Sequence, residues 1–384
     1  MTLLEIREVK TKKEQRDFVN FPLKLYKNNG YYVPMLYADE LKIFKPDYPF
    51  NKVCDVVFFL AYEGKTCVGR IQGIIQREAN EKWGQKRVRF TRFDSIDDEN
   101  VALALFSAVE NWAKAKGMTE FVGPLGYSDL EREGLLIEGF EEKQTFEEQY
   151  NYPYYQKLIE SCGFKKDVDW IECKLYAPEE NGDKLIDIST KMLKRYELRT
   201  YQAPTVKELI DRYIDDIFDV IEKTYADLYG TMPLNKEIVD SYVEGFRMIV
   251  RPEDVMVIID KNDKLVGMAL MFPSISDAVR LSNGHITLPF LVRFLKSKKH
   301  PKVIDLGLIG ILPEYRSKGI ATIMIGLLIN LLKTSDIDHL ETNLMLEDNY
   351  NIINSFKHFN RIQNKRRRCF KKSIGPNAPE TQNT

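Results

Sequence analysis

The chain has 384 residues, enough for two domains with full cores, because one domain usually takes about 100 to 200 residues. Its 56 lysines and arginines nearly cancel its 57 aspartates and glutamates, so no global field draws it to nucleic acid or to an anionic membrane, and neither is expected as a partner. Five cysteines, Cys54, Cys67, Cys162, Cys173 and Cys369, are an odd number without Cys-x-x-Cys spacing, and the four histidines lack metal spacing, which argues against both a disulfide framework and a metal centre.

The start, Met1 to Arg7, has no apolar stretch of signal-peptide length, and the longest mainly apolar run, Ile320 to Leu332, falls short of the roughly twenty residues that span a bilayer. A cytoplasmic protein is the expectation. In chain order, Asp55–Tyr62 and Thr66–Ile75 read as a hairpin across Glu63-Gly64-Lys65. After the next strand candidate, Arg87–Phe93, four acidic residues lie within Asp94-Ser95-Ile96-Asp97-Asp98-Glu99-Asn100. They suit a helix start but repel an anion.

The segment 131–149 gathers seven glutamates, among them Glu131, Glu133, Glu147 and Glu148, beside Phe140 and Phe146. It reads as a surface loop or as a receptor for a cationic amine. A breaker-rich seam follows at Ala177 to Asp183, then a helix candidate Lys184–Lys194 and a strand Tyr196–Tyr201. The hairpin plan returns at Asp254–Ile259 and Lys264–Met271, with Val-Gly in the same place of the second strand.

In both halves an apolar helix, a short strand (Glu120–Gly123; His339–Asn343) and an Asn-led amphipathic segment (from Asn151; from Asn349) come next. The order of elements thus recurs about 200 residues apart, and an internal duplication is expected. The apolar segment Leu281–Leu295 either walls an acceptor or fatty-acyl pocket or docks on the first half. On the final strand, alternation splits Lys365-Arg366-Arg367-Arg368 between two faces, which predicts a solvated edge strand rather than a phosphate track. From residue 374 onward a disordered tail is expected.

The most informative residues are Arg316-Ser317-Lys318-Gly319-Ile320-Ala321, set between the apolar run Val303–Leu312 and an apolar helix candidate. A strand delivers the chain to a turn, Gly319 lets backbone approach a ligand, and the helix start offers unpaired N–H groups to an anion, with Arg316 and Lys318 reinforcing the sign. Preceded by Pro313-Glu314-Tyr315 and followed by the strand at Leu340 and the helix opening at Asn349, this order resembles the GNAT superfamily of acyl-CoA N-acyltransferases. The whole chain resembles bacterial proteins made of two GNAT-like halves.

The resemblance implies an α/β fold of two GNAT-like domains, each a mixed, mostly antiparallel sheet flanked by helices: residues 1–178, a degenerate half with a structural or acceptor-binding role, and residues 179–373, the half that binds acyl-CoA. It implies acetyl-CoA or another acyl-CoA as co-substrate, with the pyrophosphate on the amides of residues 316–321, Asn349 opening the following helix, and backbone contacts to the pantetheine arm and thioester from Ile309 and Ile311. Eleven residues before Arg316, where the family often places a Glu base, stands Asp305, the candidate general base. Seven residues after Asn349, where the family often has a Tyr acid, stands Phe356.

Strand alternation puts Asp305, Gly307 and Ile309 on one face. The implied reaction is direct transfer of an acetyl or longer acyl group to a primary amine on a small molecule or peptide. An aminoacyl or fatty-acyl transferase of the tandem type, and a non-catalytic acyl-CoA sensor or scaffold, are the alternatives.

Overall fold

The computed structural model describes residues 3–375. Both predicted hairpins form, as β2 (Cys54–Glu63) with β3 (Thr66–Gln76) and β9 (Val255–Ile259) with β10 (Leu265–Pro273). The other strands are β1 (Leu4–Glu8), β4 (Arg87–Ser95), β5 (Glu120–Gly123), β6 (Leu135–Glu138), β7 (Lys165–Tyr176), β8 (Arg199–Tyr201), β11 (Val303–Ile311), β12 (His339–Thr342), β13 (Met345–Leu346) and β14 (Asn360–Ser373). All join one sheet in the order β1-β2-β3-β4-β5-β14-β7-β12-β11-β10-β9-β8, with β6 paired to β14 and β13 to β7.

The duplication is visible in that order. The set β2, β3, β4, β5 and the set β9, β10, β11, β12 each run antiparallel until the last pair, which is parallel. The repeated Val-Gly has a steric cause. A Cβ on Gly69 would meet Leu105 at 2.8 Å, and one on Gly267 would meet Ile320 and Met324 at 3.0 Å. Helices α1 (Glu99–Ala115) and α6 (Ile320–Thr334) pack directly over these points, so each needs a bare backbone beneath it.

Four further helices position the site: α2 (Gly182–Arg195), α3 (Val206–Tyr225), α4 (Lys236–Arg247) and α5 (Leu288–Lys299). The core divides about the sheet. In the second half α3 covers one face through Leu209, Tyr213, Ile217 and Val220, and α6 covers the other through Ile325, Leu328 and Ile329.

The last strands are traded between halves. β7, the end of the first half by sequence, pairs with β12, and β14 pairs with β5 and with β7. β14 is therefore interior, not the solvated edge its charges suggest. The alternation holds, but its charges are matched: Lys365 and Arg367 are fully buried against Glu172, and Arg366 and Arg368 meet Asp169 on the other face.

Two more expectations are corrected. Segment 131–149 is no plain surface loop, because Glu133 and Glu148 are buried, while Glu138 and Glu141 remain exposed. Ile374 is also buried, with its N–H on the Thr119 carbonyl; the tail from 376 onward lies outside the described residues. Among the described residues no helix is long and apolar enough to cross a membrane.

Candidate active site

β11 and β12 pair in parallel only from Val303 with His339 to Leu306 with Thr342, and the Asn343 N–H on the Leu306 carbonyl (3.0 Å) closes the ladder. Beyond it β11 runs on to Ile311 along β10 alone, leaving one backbone edge uncovered. A β-bulge sits at the parting. Leu270 faces Leu308 and Met271 faces Leu306, so Gly307 is the extra residue.

The bulge overturns the simple alternation along this strand. Asp305 shares its face with Leu308 and Gly310, opposite Phe272, Leu270 and Met268, whereas Ile309 faces with Ala269 toward α6. The first half repeats the device at its own parting, where Arg70 faces Asp94 but Gln72 faces Thr91, and Arg92 takes φ 48°.

At the uncovered edge, the Ile309 N–H donates to the Tyr225 hydroxyl at 3.2 Å and that hydroxyl donates to the Ile309 carbonyl at 3.1 Å. Tyr225 closes α3, and burial pushes its pKa up to about 12. Next to it an apolar cavity of about 110 Å³ opens between α3, α4 and the sheet, walled by Leu209, Ile217, Phe218, Phe246 and Phe272, with Gly307, Asn343 and Glu147 at the parting.

The turn after β11 is a short 3-10 segment, Pro313–Lys318, and then Gly319 at φ 72° starts α6. Arg316 and Ser317 are exposed, Lys318 lies over the Tyr315 ring at 4.0 Å, and no side chain caps the first turn of α6. Ile320 and Ala321 follow as the first helical residues. In the first half the matching helix α1 is instead capped by Asp98, whose carboxylate accepts from the Asn100 N–H at 2.8 Å. One half presents free amides beside two cations, and the other presents acid.

Asn349 stands at the start of the helix Tyr350–Ser355, with no capping hydrogen bond from its side chain. Phe356 is buried in the core beside Ile325 and Phe359, and Tyr350 is exposed, so neither brings a hydroxyl to the parting. Tyr225 does. Nothing in the pattern of α3 singles it out.

Asp305 is buried with neither carboxylate oxygen hydrogen-bonded, and it lines neither large cavity. Burial, with Glu341 beside it on β12, pushes its pKa well above the usual range. It ends a polar band across the sheet, in which Lys365 meets Glu341 (2.7 Å) and Glu172 (3.0 Å), and Arg367 meets Glu172 (2.5 Å) and Glu148 (3.2 Å). Glu147 lies over this band from the first half. Burial raises its pKa to about 7 against the opposing charge of Arg132.

Glu147 also lines a second cavity, of about 430 Å³, on the first half, walled by Tyr32, Tyr48, Phe93, Tyr150 and Tyr242, with Glu40, Asp94 and Glu131 among its carboxylates. The two cavities share Leu130, Glu147, Tyr242 and Phe246, so they meet at this carboxylate. The acidic, aromatic composition of 131–149 was the sequence's signal for it.

A doubled sheet whose parallel strands part over a bulge, with free helix amides at the end of the longer strand, is a tandem fold of the GNAT type. Residues 215–359 match the model of the acetyltransferase (GNAT) family. The chain is 25% identical over 381 residues to Protein YghO of Escherichia coli (strain K12), covering 96% of this chain and 95% of that one. It is 24% identical over 293 residues to the bacterial ceramide synthase of Caulobacter vibrioides (strain NA1000 / CB15N), covering 75% and 74%.

Among solved structures, a tandem GNAT protein from the clavulanic acid biosynthesis pathway superposes with a TM-score of 0.56 at 12% identity, over 97% of this chain and 99% of that one. A conserved protein from Enterococcus faecalis V583 superposes with 0.52 at 8% identity, over 97% and 73%. Both likenesses concern the fold.

Proposed function

We propose that this protein transfers a fatty-acyl group from coenzyme A to the primary amine of an amphiphilic acceptor. The observation that carries the reading is the meeting of two cavities at one carboxylate. An apolar cavity opens where β11 and β12 part, and a larger aromatic and acidic cavity arrives there from the first half. The 24% identical relative named a ceramide synthase supports the same direction, since a ceramide is the amide of a fatty acid and a long-chain amino alcohol.

In this reading the pyrophosphate rests on the amides of Gly319, Ile320 and Ala321, with Arg316, Ser317 and Lys318 around it and Asn349 nearby, while Ile309 and Ile311 offer backbone groups to the pantetheine arm. The acyl chain enters the apolar cavity, between the aliphatic and aromatic walls of Leu209, Ile217, Phe218, Phe246 and Phe272. The acceptor lies in the 430 Å³ cavity, its ammonium at Glu147, since Glu40 and Asp94 are already paired with Arg92 and Arg70, and its chain among tyrosines.

An alkylammonium has a pKa of about 10, so a proton must leave before nitrogen can attack. Glu147, with a pKa of about 7, is placed to take it; Asp305, buried in the polar band and lining neither cavity, is the alternative base. The amine then adds to the thioester carbonyl, whose oxygen takes up the negative charge facing the Ile309 N–H. Collapse breaks the C–S bond, and the thiolate takes a proton from Tyr225, which is restored from the acceptor nitrogen's remaining proton.

The test is release of free thiol from palmitoyl-CoA in the presence of long-chain amines and amino alcohols. Turnover that requires both substrates supports the proposal. Tight binding of the thioester with no release across the whole acceptor panel supports the non-catalytic sensor instead.

A further inference from the structure

Helix α5 has two apolar faces. Phe290 and Phe294 point into the core, while Leu288, Leu291, Val292 and Leu295, spaced i, i+3, i+4, i+7, form a second stripe toward solvent, with Leu288 75% and Val292 63% exposed. A second apolar face left in water is the informative case for a surface helix.

The charge around it is of one sign. From residue 278 to residue 304 there are six lysines and arginines and no aspartate or glutamate, in a chain whose total is −1. Arg293 and Lys296 flank the stripe and Lys299 ends it, and among the described residues none of the three has a carboxylate within ion-pair distance. The balanced total conceals this patch, which is why composition argued against a membrane partner.

The patch leads into a cavity. The loop before α5 docks on the first half, with the Tyr37 N–H on the Gly284 carbonyl (2.9 Å) and His285 stacked on Tyr37. The next residue, Ile286, is 53% exposed and lines the 430 Å³ cavity, as does the exposed Met248.

We propose that α5 and the loop before it dock this protein on an anionic bilayer surface, and that the amphiphilic acceptor passes from the bilayer past Ile286 and Met248 into the first-half cavity. The apolar stripe sinks into the acyl boundary and the cations lie among the headgroups, the arrangement of an interfacial helix. A twofold contact with a second copy fits less well, because it sets like charges against like. The docking stands on the patch alone; only the passage of the acceptor rests on the function proposed above.

The experiment is co-sedimentation of the full chain with vesicles of phosphatidylglycerol in phosphatidylcholine, against vesicles of phosphatidylcholine alone. The account expects binding to the anionic vesicles that weakens with salt, a loss of about fivefold for each of Lys296→Gln and Lys299→Gln, and loss of binding in the double variant Val292→Glu, Leu295→Glu. That double variant keeps its melting temperature and its thiol release with water-soluble amines, because both positions are exposed and line neither cavity.

No partition onto anionic vesicles, partition unchanged in the double variant, or a dimer that the double variant turns into monomers each overturns the docking. Vesicle binding without thiol release leaves the docking standing and sinks the reaction. Thiol release without vesicle binding does the reverse.

Discussion

At the scale of single residues the account rests on where Glu147 and Tyr225 sit. A carboxylate titrating near 7 at the meeting of two cavities predicts a rate that climbs with pH up to about 7 and then levels, because only the ionised form accepts the ammonium proton. Glu147→Gln should lower kcat by about 10² to 10⁴ and remove that limb while leaving binding of the thioester intact. Asp305→Asn should do less: burial and the neighbouring Glu341 push the Asp305 carboxyl toward its protonated form, which the amide resembles. The opposite ranking in a steady-state assay would return the base to Asp305. Tyr225→Phe deletes the hydroxyl bridging the Ile309 N–H and carbonyl, and a drop in kcat of about tenfold or more, with substrate binding kept, is the expected result. Of these residues the sequence pointed to Asp305 by a spacing and to Glu147 only within an acidic cluster. Tyr225 left no mark, because a tyrosine at the end of an amphipathic helix looks like any other until the strand it meets is known to part from its neighbour.

At the scale of elements, the turn into α6 and the bulge at Gly307 decide what the site can hold. Gly319 combines φ 72° with a neighbour, the Met192 thioether on α2, whose sulfur would lie 3.0 Å from an added Cβ. Gly319→Ala should therefore cost about 1 to 2 kcal/mol of stability. It should also weaken coenzyme A binding. Replacing Gly69 and Gly267 by Val should destabilise both halves alike, by about 1 to 3 kcal/mol each, since each valine would press a helix off the sheet. A differential-scanning trace in which only one of them lowers the melting temperature would speak against the shared role. These elements were legible in the sequence, because strand, turn, glycine and apolar helix are local patterns. The bulge was not. One extra residue at Gly307 reverses every face assignment beyond it, and whether a strand carries one is settled by the neighbouring strand, not by its own residues. The basic strand misled for a related reason: Lys365 and Arg367 read as solvated until Glu172, nearly 200 residues away in the chain, is placed beside them.

At the scale of the whole molecule, the traded strands β7 and β14 make one sheet from two halves, so neither half closes its own sheet. Residues 1–178 expressed alone should not give a folded domain, and the intact chain should melt in a single transition. Stability should also depend on pH with a definite sign. Burial raises Glu148 to about 8 and Glu147 to about 7, so the folded state holds protons that an unfolded chain, with carboxyls near 4.5, releases. The contribution is favourable below about pH 4.5 and falls as pH rises through about 8; Glu148→Gln should flatten that decline in thermal melts between pH 5 and 8. The central claim is that free amides at the start of α6 hold a coenzyme A thioester whose acyl chain fills the apolar cavity beside Gly307. Calorimetric titration with acyl-CoAs of increasing chain length tests it most directly. The account predicts binding of coenzyme A itself, tightening by up to about fourfold per added methylene until the cavity is full, with the gain lost when Leu209 or Phe218 is replaced by Asp. Equal affinity for every chain length, or no heat with any of them, would contradict it.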